Sequence, residues 1–206
     1  MYNEKSIVLS KNSIFWLWKR AFDILFCILL LPIFIIMIPL LFILNHFYNK
    51  GSIFYVQRRM GKDCIPFNAI KFRSMISQNT YIRAYNDPIE VERILPFGKI
   101  LRNTRLDEIP QILNVLKGEM SLIGPRPDYY EHALFFINEI ENYSARHCIR
   151  PGLSGLAQIR LGYAEGIDAT KAKVRVDLFY IENIGFLLDI KIFFNTIISV
   201  LLRSGK

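Results

Sequence analysis

"KRAFDILFCILLLPIFIIMIPLLFILNHF", Lys19 to Phe47, decides how this chain is built. From Ile24 to Leu44 it is apolar throughout, interrupted only by Pro32 and Pro39. A straight helix over this run extends about 32 Å, close to the roughly 30 Å hydrocarbon core of a bilayer, so one crossing is geometrically open. Its length, its two prolines and the lack of a small-residue cleavage site exclude a cleaved signal peptide. The flanks argue against a crossing. Lys5, Lys11, Lys19 and Arg20 precede the run and Lys50, Arg58, Arg59 and Lys62 follow it, so the positive-inside rule draws both ends to the same side. Pro32 sits mid-run, where it removes a backbone hydrogen bond and clashes with the preceding turn. The expected solution is a re-entrant helix hairpin that breaks at Pro32 and enters and leaves by one face.

Charge and composition widen that reading. Of 206 residues 52% are hydrophobic, yet the net charge is +8. Apolar and basic together point to a membrane surface, anionic head groups or a phosphorylated substrate, with nucleic acid the other usual partner of positive charge. Cys27, Cys64 and Cys148 are widely spaced and show neither a disulfide framework nor zinc spacing, which suits a reducing compartment. His46, His132 and His147 show no metal spacing and read as structural or exposed.

Beyond the apolar run, Gly51 to Met75 reads as a β-hairpin turning about Gly61, Lys62 and Asp63. Phe67, Ala69, Lys71 and Arg73 share one face of its second strand, which brings two cations together at a strand end. A polar loop is expected from Thr80 to Arg93, with a turn at Asn86, Asp87 and Pro88. Ile109, Ile112, Leu113 and Leu116 recur at helical spacing and predict a buried stripe up to about Gly118, with Asp107, Gln111 and Asn114 on a separate polar face. Asp128 and Glu131 have capping-box spacing at the head of another helix. The glycine-rich stretch "RPGLSGLAQIRLGYAEG", Arg150 to Gly166, reads as a loop able to approach a ligand closely. Along the C-terminal "FLLDIKIFFNTIISVLLR", Asp189, Thr196, Ser199 and Arg203 form one polar stripe, which predicts a helix lying in a membrane interface.

"TRLDEIPQ", Thr104 to Gln111, sets two carboxylates side by side. Asp107 is a plain candidate N-cap, and Pro110 is tolerated in a first turn. Arg102 and Arg105 stand just upstream and Arg126 stands downstream between two prolines. A carboxylate at a helix N-terminus beside fixed cations stays ionised and is a competent oxygen nucleophile. With a phosphoryl electrophile the arginines would hold its oxygens, and a divalent ion would neutralise the remaining charge. One division of labour has Asp107 attacking and Glu108 holding Mg²⁺; the spacing alone does not decide which carboxylate takes which role.

In order along the chain, "KRAFDILFCILLLP", "GKDCIPFNAIKFRSM", "LRNTRLDEIPQILNVLKGEMSLIGPRP", "RPGLSGLAQIR" and the terminal "DLFYIEN" with "LDIKIFFNTIISVLL" resemble the bacterial sugar transferases, the monotopic phosphoglycosyl transferases. The resemblance implies transfer of a sugar 1-phosphate from a UDP-sugar to polyprenyl (undecaprenyl) phosphate, with release of UMP and Mg²⁺ as cofactor, to begin a surface glycan. It makes Asp107 the nucleophile of a covalent phosphosugar intermediate and Glu108 its partner at the metal. Arg102 and Arg126 fall at the phosphate-binding arginines, Lys71 and Arg73 in the "KFR" of the motif, and Pro32 at the break of the membrane hairpin. Having no further membrane helix before Lys19, the chain resembles the small members. It departs from many members after Gln158, and Leu31 stands where some place a small polar residue.

The fold expected is therefore α+β: an N-terminal segment over 1–18, a re-entrant membrane hairpin over 19–48, and a catalytic domain over 49–206 with a small β-hairpin and interfacial helices. Expected partners are the UDP-sugar, polyprenyl phosphate and membrane lipids, without nucleic acid and with a homo-oligomer admitted, at the cytoplasmic face of a bacterial inner membrane. Two rival classes follow from the same residues, a non-catalytic membrane-surface adaptor and a metal-dependent phosphohydrolase of a lipid diphosphate.

Overall fold

The structure, a computed structural model, describes residues 13–48, 51–76, 91–162 and 166–202. Lys5, Lys11, Lys50 and Arg203, the turn at Asn86 to Pro88 and part of the stretch after Gln158 lie outside the described residues. Among the described residues seven α-helices and two small sheets make a mixed α+β fold: α1 (Ser13–Tyr48), β1 (Phe54–Met60), β2 (Pro66–Phe72), α2 (Pro96–Asn103), α3 (Ile112–Lys117), β3 (Ser121–Ile123), α4 (Tyr130–Glu139), β4 (Gly152–Ser154), α5 (Leu156–Leu161), α6 (Gly166–Glu182) and α7 (Phe186–Leu201). Short 3₁₀ helices at Lys62–Cys64, Val91–Arg93, Leu106–Gln111 and Tyr143–His147 join them.

The apolar run lies in α1, a 36-residue helix long and apolar enough to cross a membrane. Pro32 and Pro39 are both inside it, and the helix continues through them. The expected break at Pro32 therefore does not divide the segment into two helices. Each proline deletes one backbone bond but its fixed φ is helical, so any change of direction is a bend within one helix.

Polarity in α1 is inverted. Lys19, Asp23 and Asn45 are buried against the rest of the chain, while Leu25, Ile28, Leu29, Ile35, Ile36, Phe42 and Ile43 are exposed. Lys19 Nζ donates to the Ile123 carbonyl at 2.9 Å and pairs with Asp189 at 2.6 Å. The Arg20 guanidinium donates to the carbonyls of Val115 and Leu116 at 2.6 and 2.8 Å, capping the C-terminus of α3. Asp23 accepts from the Ser121 hydroxyl at 3.0 Å and the Leu122 amide at 2.9 Å. Lys19 and Arg20, read from sequence as flanking charge, together with Asp23 dock α1 on the body of the protein. Farther along, Phe34 stacks on Phe72 and lies near Phe54, and Tyr48 reaches Phe97, so both ends of α1 rest on the same body.

Helix α7 repeats the inversion. Its stripe of Asp189 and Thr196 faces inward, to Lys19 and to the Ser154 hydroxyl, 2.6 Å from Thr196 Oγ1. Leu187, Phe194 and Ile198 face outward. The polar stripe thus anchors the helix to the protein, and the outward face is the apolar one, an arrangement suited to lipid and unsuited to water.

The predicted β-hairpin is present. Strands β1 and β2 pair antiparallel with Tyr55 opposite Lys71, around a turn in which Asp63 and Cys64 take positive φ. Three other expectations need correction. The Arg150 to Gly166 stretch is not a loop: β4 pairs parallel with β3 and α5 follows. Its glycines serve chain-to-chain approach, since a Cβ on Gly152 would lie 2.1 Å from the Gly124 amide nitrogen. Asp128 does not cap α4, whose N-cap is Tyr129 without a side-chain bond; it accepts instead from Tyr143, Arg146 and Lys173. Around α3 the fully buried apolar residues are Ile112 and Val115, with Gln111 and Asn114 buried beside them, whereas Ile109, Leu113 and Leu116 are partly covered. Of the separate polar face, Asn114 packs on β2. His147 is buried in line with the structural reading, and burial holds its imidazole down to about 3, hence neutral.

Candidate active site

The paired carboxylates lie in the 3₁₀ helix Leu106–Gln111, which begins after Arg105 in the left-handed region (φ 54°) and runs into α3. Asp107 is inside this helix, so it is not the cap that "TRLDEIPQ" offered; no side chain caps the turn. Strand β2 packs directly against it. Asn114, wholly buried, clips the two together: its amide donates to the Asn68 carbonyl at 2.7 Å and its side-chain oxygen accepts from the Ile70 amide at 3.1 Å. That clip sets Lys71, the next residue of β2, opposite the carboxylates.

Glu108 is 7% exposed and surrounded by cations. Lys71 Nζ lies 2.6 Å from Oε1, Arg126 donates to both carboxylate oxygens, and Arg105 stands 3.9 Å from Oε2. Burial opposes its charge, but Arg126 and Lys71 outweigh burial and hold Glu108 well below the usual carboxylate range. Arg126 is itself fixed from several sides. It donates to the Leu153 carbonyl at 3.2 Å, its own carbonyl accepts from Arg146 at 2.8 Å, and the next carbonyl, of Pro127, accepts from Arg59 at 2.9 Å.

Asp107 is treated differently. Its carboxylate has no hydrogen-bond partner among the described residues, because Glu108 takes the nearest donors. Burial first, then the adjacent Glu108 charge, push it up to about 6, against a smaller pull from Lys71, Arg102 and Arg126. The sequence argument expected cations and the helix end to favour its charged form; the hydrogen bonds of those cations go to its neighbour. A carboxylate at about 6 is still mostly ionised at neutral pH, poorly solvated, and unbonded, which are the properties of an oxygen nucleophile.

Of the predicted residues, Asp107, Glu108, Lys71 and Arg126 come together. Arg102 bears on Asp107 through space, while its guanidinium contacts the Met75 sulfur at 3.0 Å. Arg73 is not among these partners of the carboxylates: it lies beyond the end of β2 with its guanidinium over Gly51, and burial lowers its pKa. Pro32 is exposed on α1. Arg105, read from sequence as one of the cations upstream of the pair, belongs to the site, three residues before Glu108. Gln158, with its amide oxygen turned toward Arg105, accepts from that guanidinium, and no spacing in the sequence pointed to it.

Magnesium fits this donor set in one mode only. No group of three metal-ligating side chains exists among the described residues. Two adjacent carboxylates match the usual way Mg²⁺ is held, by one or two carboxylates shared with substrate phosphates. Both Glu108 oxygens already accept hydrogen bonds from cations, whereas among the described residues those of Asp107 accept none.

Comparison with known proteins agrees with the geometry. The bacterial sugar transferase profile matches residues 14–203. The chain is 39% identical over 187 residues to the UDP-N-acetylgalactosamine-undecaprenyl-phosphate N-acetylgalactosaminephosphotransferase of Aeromonas hydrophila, covering 91% of this chain and 44% of that protein. Exopolysaccharide production protein PSS of Rhizobium leguminosarum bv. phaseoli is 37% identical over 203 residues, covering 90% of this chain and 96% of that protein. A UDP-glucose:undecaprenyl-phosphate glucose-1-phosphate transferase of Escherichia coli (strain K12) is 36% identical over 187 residues, covering 88% of this chain and 39% of that protein. The chain thus spans less than half of two of these relatives and nearly all of the third. With nearly its whole length matched, it belongs to the bacterial sugar transferase family.

Proposed function

We propose that this protein transfers a sugar 1-phosphate from a UDP-sugar to undecaprenyl phosphate, the substrates named in its relatives, and so starts a surface glycan on a lipid carrier. The observation that carries the reading is the contrast within the pair: Glu108 fully bonded to cations, Asp107 unbonded and raised to about 6. In the first step an Asp107 carboxylate oxygen attacks the sugar-bearing phosphorus. The bond from that phosphorus to the bridging oxygen breaks and UMP leaves with the electron pair. In the second, an oxygen of the lipid phosphate attacks the same phosphorus, the acyl phosphate bond breaks, and Asp107 is restored. Lys71 and Arg126 keep Glu108 ionised and bring positive charge to where the phosphoryl oxygens gather; Arg102 and Arg105 add to it. Mg²⁺, held by Asp107 or Glu108 together with phosphate oxygens, would neutralise charge on the diphosphate.

Two features support placing the site at a membrane surface, on the cytoplasmic face of a bacterial inner membrane. Helices α1 and α7 turn apolar faces outward, and both ends of α1 rest on one body, which suits a helix that enters and returns and does not suit one that crosses. Single cysteines at either end of Ile24 to Leu44 should label from one side only; labelling from opposite sides would establish a crossing.

The central experiment is chemical. With the UDP-sugar that supports release of UMP in the presence of undecaprenyl phosphate, Asp107→Asn should lose both that release and phosphosugar trapped on the protein, by at least about 10³-fold. Appreciable turnover in the variant removes Asp107 as nucleophile.

A further inference from the structure

Beside Glu108 lies a cleft of about 210 Å³. Its lining is divided. Glu108, Arg105 and Gln158 form a polar group, already joined to one another by contact. Most of the remainder is apolar; besides the 3₁₀ helix and the start of α3, it comes from Leu30 of α1, Leu122 and Leu153 of the β3–β4 region, and Phe193, Ile197 and Val200 of α7. The three α7 residues fall at i, i+4 and i+7, one continuous face. Leu29 and Ile33 beside Leu30, and Phe194 and Ile198 beside the α7 lining, are among the exposed apolar residues of the two inverted helices. The cleft therefore adjoins Glu108, next to Asp107 in the chain, and, through α1 and α7, the surface that faces outward as apolar.

A sugar nucleotide does not suit such walls: its sugar, ribose and base would leave polar groups without partners. A branched hydrocarbon with a phosphate at its head does suit them. A cavity of about 150 Å³ lined by aliphatic and aromatic side chains holds a six-carbon ring, so this one holds roughly one or two five-carbon units.

We infer that the cleft between α1 and α7 seats the phosphate-proximal isoprene units of the lipid acceptor, with Arg105 at its polar end beside the acceptor phosphate. This rests on the proposed transferase reading and adds where, and by which residues, the acceptor is held. It also gives α1 and α7 a part in substrate selection as well as in anchoring.

The test uses the full chain in detergent or nanodiscs with two readouts. In the first, Ile197→Trp fills the cleft, and Leu187→Trp, on the same helix but outside it and 80% exposed, is the control. The expected result for Ile197→Trp is an acceptor KM raised at least about tenfold against a UDP-sugar KM changed less than about threefold, with Leu187→Trp like wild type. An unchanged acceptor KM, or equal rises in both KM values, overturns the inference. In the second readout a geranyl phosphate carrying a photoreactive diazirine is irradiated with the protein and the adducts are mapped. Adducts concentrated on Leu30, Leu153 and the Phe193 to Val200 face, reduced by undecaprenyl phosphate but not by phosphatidylethanolamine vesicles, support the inference. Adducts spread over the exposed apolar faces, or displaced equally by phospholipid, overturn it. Because labelling needs no turnover, a protein that labels in the cleft yet releases no UMP from any UDP-sugar would sink the transferase reading and leave the prenyl site standing.

Discussion

Two clusters in this protein are made of the same materials, and they behave oppositely. In one, Asp128 accepts from Tyr143 at 2.6 Å and from Arg146 and Lys173, while Arg146 also donates to Asp177 at 2.9 Å. In the other, Asp107 and Glu108 face Lys71, Arg102, Arg105 and Arg126. Asp128 is held far below the usual carboxylate range by Lys173 and Arg146 against the effect of burial, and Asp107 is pushed up by burial and Glu108. A buried carboxylate with its donors supplied is part of the scaffold. One left without them, next to a neighbour that has taken them, carries stored reactivity. The first cluster also serves the second, because the same Arg146 holds the backbone carbonyl of Arg126.

The sharpest way to break the comparison is to remove one charge from each. Asp128→Asn should cost about 3–5 kcal/mol, since it strands Lys173 in the interior and leaves Arg146 with Asp177 as its carboxylate partner. Asp107→Asn should leave stability at pH 7.5 unchanged or raise it by about 1–3 kcal/mol, because an unbonded, desolvated charge is lost, while activity disappears. Chemical denaturation of the two variants measures both. Equal destabilisation would mean that Asp107 is a structural partner after all.

Proton linkage separates the clusters next. The Asp107 carboxyl is raised in the folded protein, so between its ordinary value and about 6 the folded state binds more protons than the unfolded one. Stability from this group is therefore greatest at low pH and declines as pH rises through that window. Asp128 has the opposite sign, contributing above its unfolded value and losing its contribution only in strong acid. Activity should follow Asp107 alone, with single-turnover UMP release rising through pH about 6 to a plateau. In Glu108→Gln the residual activity should have its acid limb displaced downward, since the neighbouring charge is gone. A limb that stays in place would mean that burial alone sets the value.

How far the sequence reached follows the same division between local and distant partners. The hairpin about Gly61 to Asp63 was legible because turn residues and alternation are local signals. The carboxylates were legible as a pair with cations nearby, and Lys71 and Arg126 were correctly brought to them. Their difference in ionisation was not legible, since it depends on which oxygen Lys71 reaches across a gap of 37 positions. Periodicity also misjudged direction. It found the polar stripe of α7 and the charges at the head of α1, yet gave them to interface or solvent, when Lys19 and Asp189 seek each other 170 positions apart. Amphipathic spacing says that a helix has two faces. Which one meets the protein depends on what lies outside, and in lipid the usual assignment reverses.

The smallest predicted difference is between the two cations of "KFR", which sequence treated alike. Lys71 ends at Glu108, so Lys71→Gln leaves a buried carboxylate with Arg126 as its remaining close partner. Glu108 should then draw more on Arg105 and Arg126, and positive charge near the reacting phosphorus falls by one. A loss of about 10²-fold in kcat/KM is expected, mostly in kcat. Arg73 sits past the strand end against Gly51, and neither Asp107 nor Glu108 perturbs it. Arg73→Gln should therefore change kcat/KM less than about tenfold, with any loss tracking stability. Steady-state kinetics on both variants beside their unfolding midpoints decides it. Equal losses in kcat without a stability change would place Arg73 on the substrate and return the two residues to the single role that their shared strand face suggested.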